Sequence, residues 1–200
     1  HWLTNNDDVN DYAGTNDGTN NGSTYSLDNP SDKVEYGGAS RVFNGTSHYI
    51  EINDSDDLSF GNGSNDSPFS ISAWVEVDTN NKFRVLSKSS TNNNEYFFGT
   101  FGSGVLAFIF GDGDLFHGIT TTSSIPENEW IHVSCTYDGS GGLNFRDGMN
   151  IYIDGFASTY TNHGGNYTAM NNTTNPLLIG KYANNNTFAD GNMADVRIYD

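Results

Sequence analysis

The chain has 200 residues and a formal charge of −17, from 25 Asp and Glu against 8 Lys and Arg. So acidic a surface repels phosphate backbones, which makes nucleic acid and anionic membrane poor partners and leaves divalent cations, neutral ligands or plain solvation. Aromatic residues make up 14% and are spread along the chain, which argues for a folded domain of ordinary size rather than disorder.

In chain order, roughly the first 35 residues are dominated by Asn, Asp, Gly, Ser and Thr, which favour turns. Within them Asp11-Tyr12-Ala13-Gly14-Thr15-Asn16-Asp17-Gly18 offers the oxygen ligands that calcium prefers in an irregular loop. The same residues also read as a self-bonding Asx-turn cluster that needs no ion. Strands are predicted at 39–43 and 47–53. The clearest follows at 69–78, where Phe69, Ile71, Ala73, Val75 and Val77 share one face and Ser70, Ser72, Trp74, Glu76 and Asp78 the other.

Further strands are predicted at 83–88, 95–101 and 104–110. The run 130–138 then repeats the alternation with Ile131, Val133, Cys135 and Tyr137 inward, and Asp138-Gly139 marks a turn. Cys135 is the one cysteine, so no internal disulfide staples the fold, and its place on the apolar face makes it a small core residue. Ile151-Tyr152-Ile153-Asp154-Gly155, 177–182 and the final segment with Val196 and Ile198 complete the strands. The stretches Asn92 to Asn94 and Asn184 to Asn186 are predicted loops. No amphipathic helix is visible, and no apolar run reaches the ~20 residues that span a bilayer. Alternation of this kind predicts two antiparallel sheets packed face to face. Residues 1–200 are read as one domain. Because they begin at His1 in an apolar Trp-Leu pair, they are read as a fragment of a larger protein.

Several segments then match one known pattern in order. They are Asp11-x-x-Gly14-x-Asn16-Asp17-Gly18-Thr19, Gly38-Ala39, Phe43-Asn44-Gly45, Tyr49-Ile50-Glu51-Ile52 and Phe69-Ser70-Ile71-Ser72-Ala73-Trp74-Val75. Trp130-Ile131-His132-Val133, Tyr137-Asp138-Gly139, Ile151-Tyr152-Ile153-Asp154-Gly155, Leu178-Ile179-Gly180, Asp190-Gly191 and Met193-Ala194-Asp195-Val196-Arg197-Ile198-Tyr199 follow. The chain resembles the laminin-G-like, concanavalin-A-like jelly rolls of the bacterial and phage type. The resemblance covers nearly the whole chain and implies an all-β, two-sheet antiparallel sandwich. It implies a module on a cell or particle surface or in a secreted enzyme, without fixing a ligand. It also implies a structural calcium where an Asp in the position of Asp195 meets the N-terminal loop. The candidate ligands are Asp11, Asn16, Asp17 and Asp195.

Glycan hydrolases similar in fold carry Glu-x-Asp-x-Glu or Glu-x-Asp-x-x-Glu on a strand, since the reaction needs two carboxylates flanking the scissile bond. The nearest match, Glu76-Val77-Asp78-Thr79-Asn80-Asn81, lacks the second Glu, and Asn cannot act as general acid. No catalytic residue is assigned. Sugars bind by stacking on aromatic rings. Trp74, Trp130, His132 and Tyr152 point away from the predicted core. Both tryptophans belong to the family pattern, which favours a covering loop over them. The predicted ligand residues are therefore the loop aromatics Phe116, His117, Tyr160, Tyr167 and Tyr182. The leading reading is a non-catalytic glycan-recognition module with calcium. The alternatives are an assembly domain contacting only protein, and a glycan hydrolase or lyase.

Overall fold

The computed structural model describes residues 8–30, 39–90, 93–113, 116–183 and 186–200. Of the predicted loops, Asn92, Asn184 and Asn185 lie outside them. The strands are β1 (Gly18–Asn21), β2 (Thr24–Ser26), β3 (Ser40–Asn44), β4 (Tyr49–Ile52), β5 (Phe69–Val77) and β6 (Arg84–Ser90). They continue as β7 (Asn93–Thr100), β8 (Val105–Gly113), β9 (Phe116–Ser124), β10 (Trp130–Tyr137), β11 (Met149–Ile153) and β12 (Phe156–Ala157). The last are β13 (Tyr160–His163), β14 (Leu177–Ile179), β15 (Lys181–Tyr182), β16 (Thr187–Phe188) and β17 (Asp190–Tyr199).

An eight-stranded sheet runs β1-β4-β14-β6-β7-β8-β9-β13 and a seven-stranded sheet runs β12-β11-β10-β5-β17-β3-β2. Every pairing given for them is antiparallel. The two faces that meet form one core of Phe, Ile, Val and Leu side chains. The predicted sandwich is thus the observed architecture. Alternate residues of β5 and β10 are buried and half-buried along their whole length, as a strand with one packed face requires.

Two departures from the predicted strands matter. Phe116 and His117, read as loop residues, open β9, where Thr120, Thr121 and Thr122 supply β-branched stiffness. The run 177–182 is broken at Gly180, whose φ of +81° turns the chain out of the sheet into the small β15–β16 hairpin. A Cβ there would lie 2.4 Å from two carbons of the Phe43 ring. Gly180→Ala is expected to cost about 2 kcal/mol, the overpacked ring adding to left-handed strain. Urea denaturation reads this directly, and an unchanged midpoint would contradict the packing described.

Candidate ligand-binding cleft

The five predicted ligand aromatics occupy three places. His117 and Tyr167 are 2% and 3% exposed, with rings 5.5 Å apart, and Phe145 packs 4.2 Å from Tyr167. Tyr182, 5% exposed, joins Phe97, Ala107 and Ile109 in a second apolar cluster. That cluster lies on the outer face of the eight-stranded sheet, since Tyr96 and Phe98, flanking Phe97, face the core. Phe116 packs beside it, 6.5 Å from Tyr182. His117 and Tyr182 lie on β9 and β15, which corrects the loop reading for them, whereas Tyr167 lies in a loop as read; all three are buried in packing. Tyr160 on edge strand β13 is 39% exposed and stands apart from them.

The predicted metal ligands divide as well. Asp11 accepts hydrogen bonds from the N–H of Ala13 on Oδ1 and of Asn16 on Oδ2, and Asp17 Oδ1 accepts from the N–H of Asp11. This is an Asx-turn cluster. Asp195 sits at the bulge of β17 with φ of +53° and accepts from Arg197 Nε at 2.8 Å. Asp11 and Asn16 line an open cavity of about 230 Å³ together with Asp57 and Asp200; Asp17 and Asp195 are not in its lining. Among the described residues no group of three or more His, Cys, Asp or Glu is placed to hold a metal ion.

On the outer face of the seven-stranded sheet, Trp74 packs edge-on against His132 at 5.2 Å. Trp130 Nε1 donates to Asp28 Oδ1 at 3.2 Å, so the segment after β2 caps it. Burial lowers the His132 pKa below its ordinary value, against the pull of Asp195 and Asp154. Glu76 accepts from Asn192 Nδ2 at 2.8 Å, and its pKa is raised by burial first and then by the Asp28 and Asp78 charges. Asp78 lies beyond the end of β5, beside Asp190 rather than Glu76's amide partner. Asn80, in the place of a second acid, uses its side chain to donate to the Ile125 carbonyl.

The open cleft lies instead at the end of the sandwich where three connections converge. The Asn44–His48 turn is locked because Asn44 Oδ1 accepts from the N–H of Thr46, Ser47 and His48. Gly45 in that turn has φ of +70°, and a Cβ would meet Asp190 Cγ at 2.9 Å, so the carboxylate lies directly over it. The N–H of Asp78 donates to the Asp190 carbonyl, and that of Gly45 to the Ala189 carbonyl. The hairpin is pinned from below by Arg84, whose Nε donates to Thr187 Oγ1 at 2.8 Å. Its guanidinium lies over Phe97 and Tyr182, and burial brings its pKa down to about 10.

What results is a cleft of about 220 Å³ with Gly45 as part of its wall and Thr79, Lys82, Asn186, Thr187, Phe188 and Asp190 around it. Phe188 is half-buried, and Lys181 Nζ lies between it and Tyr49, 5.4 Å and 4.1 Å from the ring centroids. The Asp78 pKa is raised by burial and by the neighbouring Asp190 charge. An aromatic ring, an amide, a carboxylate and an ammonium around one concavity suit a small polyhydroxylated ligand. Sequence reasoning missed Phe188 because Thr187-Phe188-Ala189-Asp190 shows too short a run to register as a strand.

Two packed antiparallel sheets with a ligand-sized cleft among the end loops define a jelly-roll sandwich of the lectin kind. The model of the Laminin_G_3 family, described as the concanavalin A-like lectin/glucanases superfamily, matches residues 44–200, and the chain belongs to that family. No curated protein matches it. Among solved structures it is similar to domain 4 of AbnA, a GH43 extracellular arabinanase from Geobacillus stearothermophilus, in complex with arabinotriose. The identity is 17%, the TM-score 0.69, and the match covers 100% of this chain and 90% of that one. The binding domain of Paraclostridial Mosquitocidal Protein 1 matches at 15% identity and TM-score 0.65, over 98% of this chain and 47% of that one. Mouse laminin alpha1 LG4-5 matches at 14% and 0.51, over 80% and 40%. At these identities the likeness shows the fold, and the chain spans about half or less of the toxin and laminin structures. No helix among the described residues is long and apolar enough to cross a membrane.

Proposed function

We propose that this chain is a non-catalytic glycan-recognition module of an extracellular or particle surface, with its sugar site in the Phe188 cleft. The observation that carries this is the half-buried Phe188 ring set beside Asn186, Lys82 and Asp190 in a concavity of about 220 Å³. A sugar stacks its C–H face on the ring while carboxylate, amide and ammonium orient its hydroxyls. The similarity to a domain solved with arabinotriose supports the reading. So does the similarity to botulinum neurotoxin type C, whose cell entry depends on two ganglioside molecules.

The non-catalytic reading is supported by Glu76 and Asp78, one of which is tied to Asn192 on the sheet face while the other lies beyond the strand end. On an array of oligosaccharides the protein is expected to retain a defined subset. Phe188→Ala and Asp190→Ala should each weaken that binding roughly tenfold or more, equivalent to about 1.4 kcal/mol. Unchanged binding by both variants would remove the cleft from the account.

Calcium belongs to the same proposal. Asp11 and Asn16, of the ligands the resemblance implies, line one open cavity, and that cavity is its proposed seat, with water completing the oxygen shell. A chelator is expected to lower the melting temperature, with recovery on adding calcium; a melting temperature that does not respond would exclude a bound ion. An assembly role is favoured by one observation, the exposed Phe156 and Leu143 at 78% and 70%. It predicts no retention on any glycan.

A further inference from the structure

Lys88 on β6 is fully buried, 0% exposed, at one end of the inter-sheet core, opposite Tyr96 and Leu177. Its Nζ lies 2.6 Å from Asp54 Oδ1, 2.7 Å from Glu95 Oε1 and 3.0 Å from the Thr173 carbonyl. Glu95 is also 0% exposed, and its Oε1 is held by the N–H of Thr173 at 2.8 Å and the Thr173 hydroxyl at 2.6 Å. Its other oxygen, Oε2, is buried without a hydrogen-bond partner. Asp54 follows β4, 34 residues away in sequence, and its side chain is 31% exposed. Keeping one ammonium and two carboxylates at such a site is costly.

We infer that Lys88 and Asp54 are the two ends of an intramolecular amide cross-link whose formation Glu95 promotes. Moving one proton from the ammonium to the Asp54 carboxylate leaves a neutral amine beside a carboxylic acid, with no net charge moved out of the pair. The amine lone pair attacks Asp54 Cγ, and Glu95 takes the surplus proton from the nitrogen of the tetrahedral intermediate. Glu95 then delivers that proton to the departing hydroxyl. One N–C bond forms, one C–O bond breaks and one water leaves; nothing is oxidised or reduced and no co-reactant is required. Two features of the site favour the step: Nζ is held against the carboxyl it attacks, and Glu95 touches Nζ with one oxygen while the other is free to carry a proton. Because Asp54 is partly exposed, the released water has a way out. The bond would join the chain after β4 to the middle of β6 and fix that end of the sandwich.

The test is the intact mass of the folded, purified chain. The mass is expected to fall short of the sequence value by one water, and fragmentation should recover the Asp54 and Lys88 peptides linked. Lys88→Arg and Glu95→Gln should both return to the full sequence mass. A merely structural ion pair would lower stability in these variants without any mass deficit in the parent. The parent at full mass after prolonged incubation would overturn the inference, whatever the variants do. A deficit mapped to an Asp-Gly succinimide, or one persisting in Glu95→Gln, would overturn it equally.

Discussion

Phe69→Ala is expected to destabilise the protein by about 3–5 kcal/mol, the range for removing a fully packed aromatic side chain. Phe69 is 2% exposed at the centre of the aromatic core. Its ring stacks on Phe60 at 4.2 Å and 6° and meets Tyr96, Phe108, Phe110 and Tyr137 at 5.3 to 6.2 Å. Deleting it leaves a void bounded by rings that belong to both sheets, and rigid strands limit how far they can close it. At this chain length the loss corresponds to a melting temperature lower by on the order of 10 °C. Phe69→Leu should recover a large part of it. A loss below about 1 kcal/mol would show that the ring does not join the sheets.

The second large effect is expected at Asp66. Its Oδ2 accepts from the hydroxyls of Tyr137 at 2.8 Å and Tyr167 at 2.7 Å, and its Oδ1 accepts from the N–H of Met170 at 2.8 Å. Burial, with the adjoining carboxylate, holds both tyrosine hydroxyls firmly protonated. One carboxylate therefore joins the segment before β5 to the end of β10 and to the segment before β14. Asp66→Ala leaves three donors short of an acceptor at a partly buried site and should cost about 3–4 kcal/mol.

The pH dependence gives a sharper test. Burial raises the Asp66 pKa above the ordinary carboxylate value, although the two tyrosines and the Met170 amide pull it down. A carboxyl whose folded pKa is raised adds stability below its unfolded pKa and loses it as pH climbs through the folded value. Asn at this position cannot ionise. The parent's stability relative to Asp66→Asn should therefore be greatest at acid pH and shrink as pH rises through the carboxylate range. Thermal melts across that range measure it, and a difference that grows toward neutral pH would contradict the assignment.

The fold was legible because β5 and β10 carry strict two-residue alternation. Ile71 and Val133 are both 0% exposed, as their parity requires, while Trp74 and His132 face outward together. The candidate site was much less legible. Parity assumes one buried face per sheet, but the eight-stranded sheet packs a second cluster on its outer face, under Tyr182 and Phe116. Aromatics predicted to be ligands were thus consumed by packing. His117 misled for a related reason, since its glycine-flanked segment proved to be a strand with that ring turned toward Tyr167. Lys88 gave no signal at all, because its partners lie 34 residues before it, 7 after it and 85 after it. Phe188 acquires its setting from Lys181, its partner across the β15–β16 hairpin, and from Gly45, Thr79 and Lys82, which lie far from it in sequence.

The most direct measurement is a crystal structure of the chain soaked with the tightest-binding oligosaccharide from the array. The account predicts a sugar ring lying against Phe188 with hydroxyls on Asp190 and Asn186. A sugar seated on the sheet face beside Trp74 and Trp130, with the end cleft empty, would contradict it.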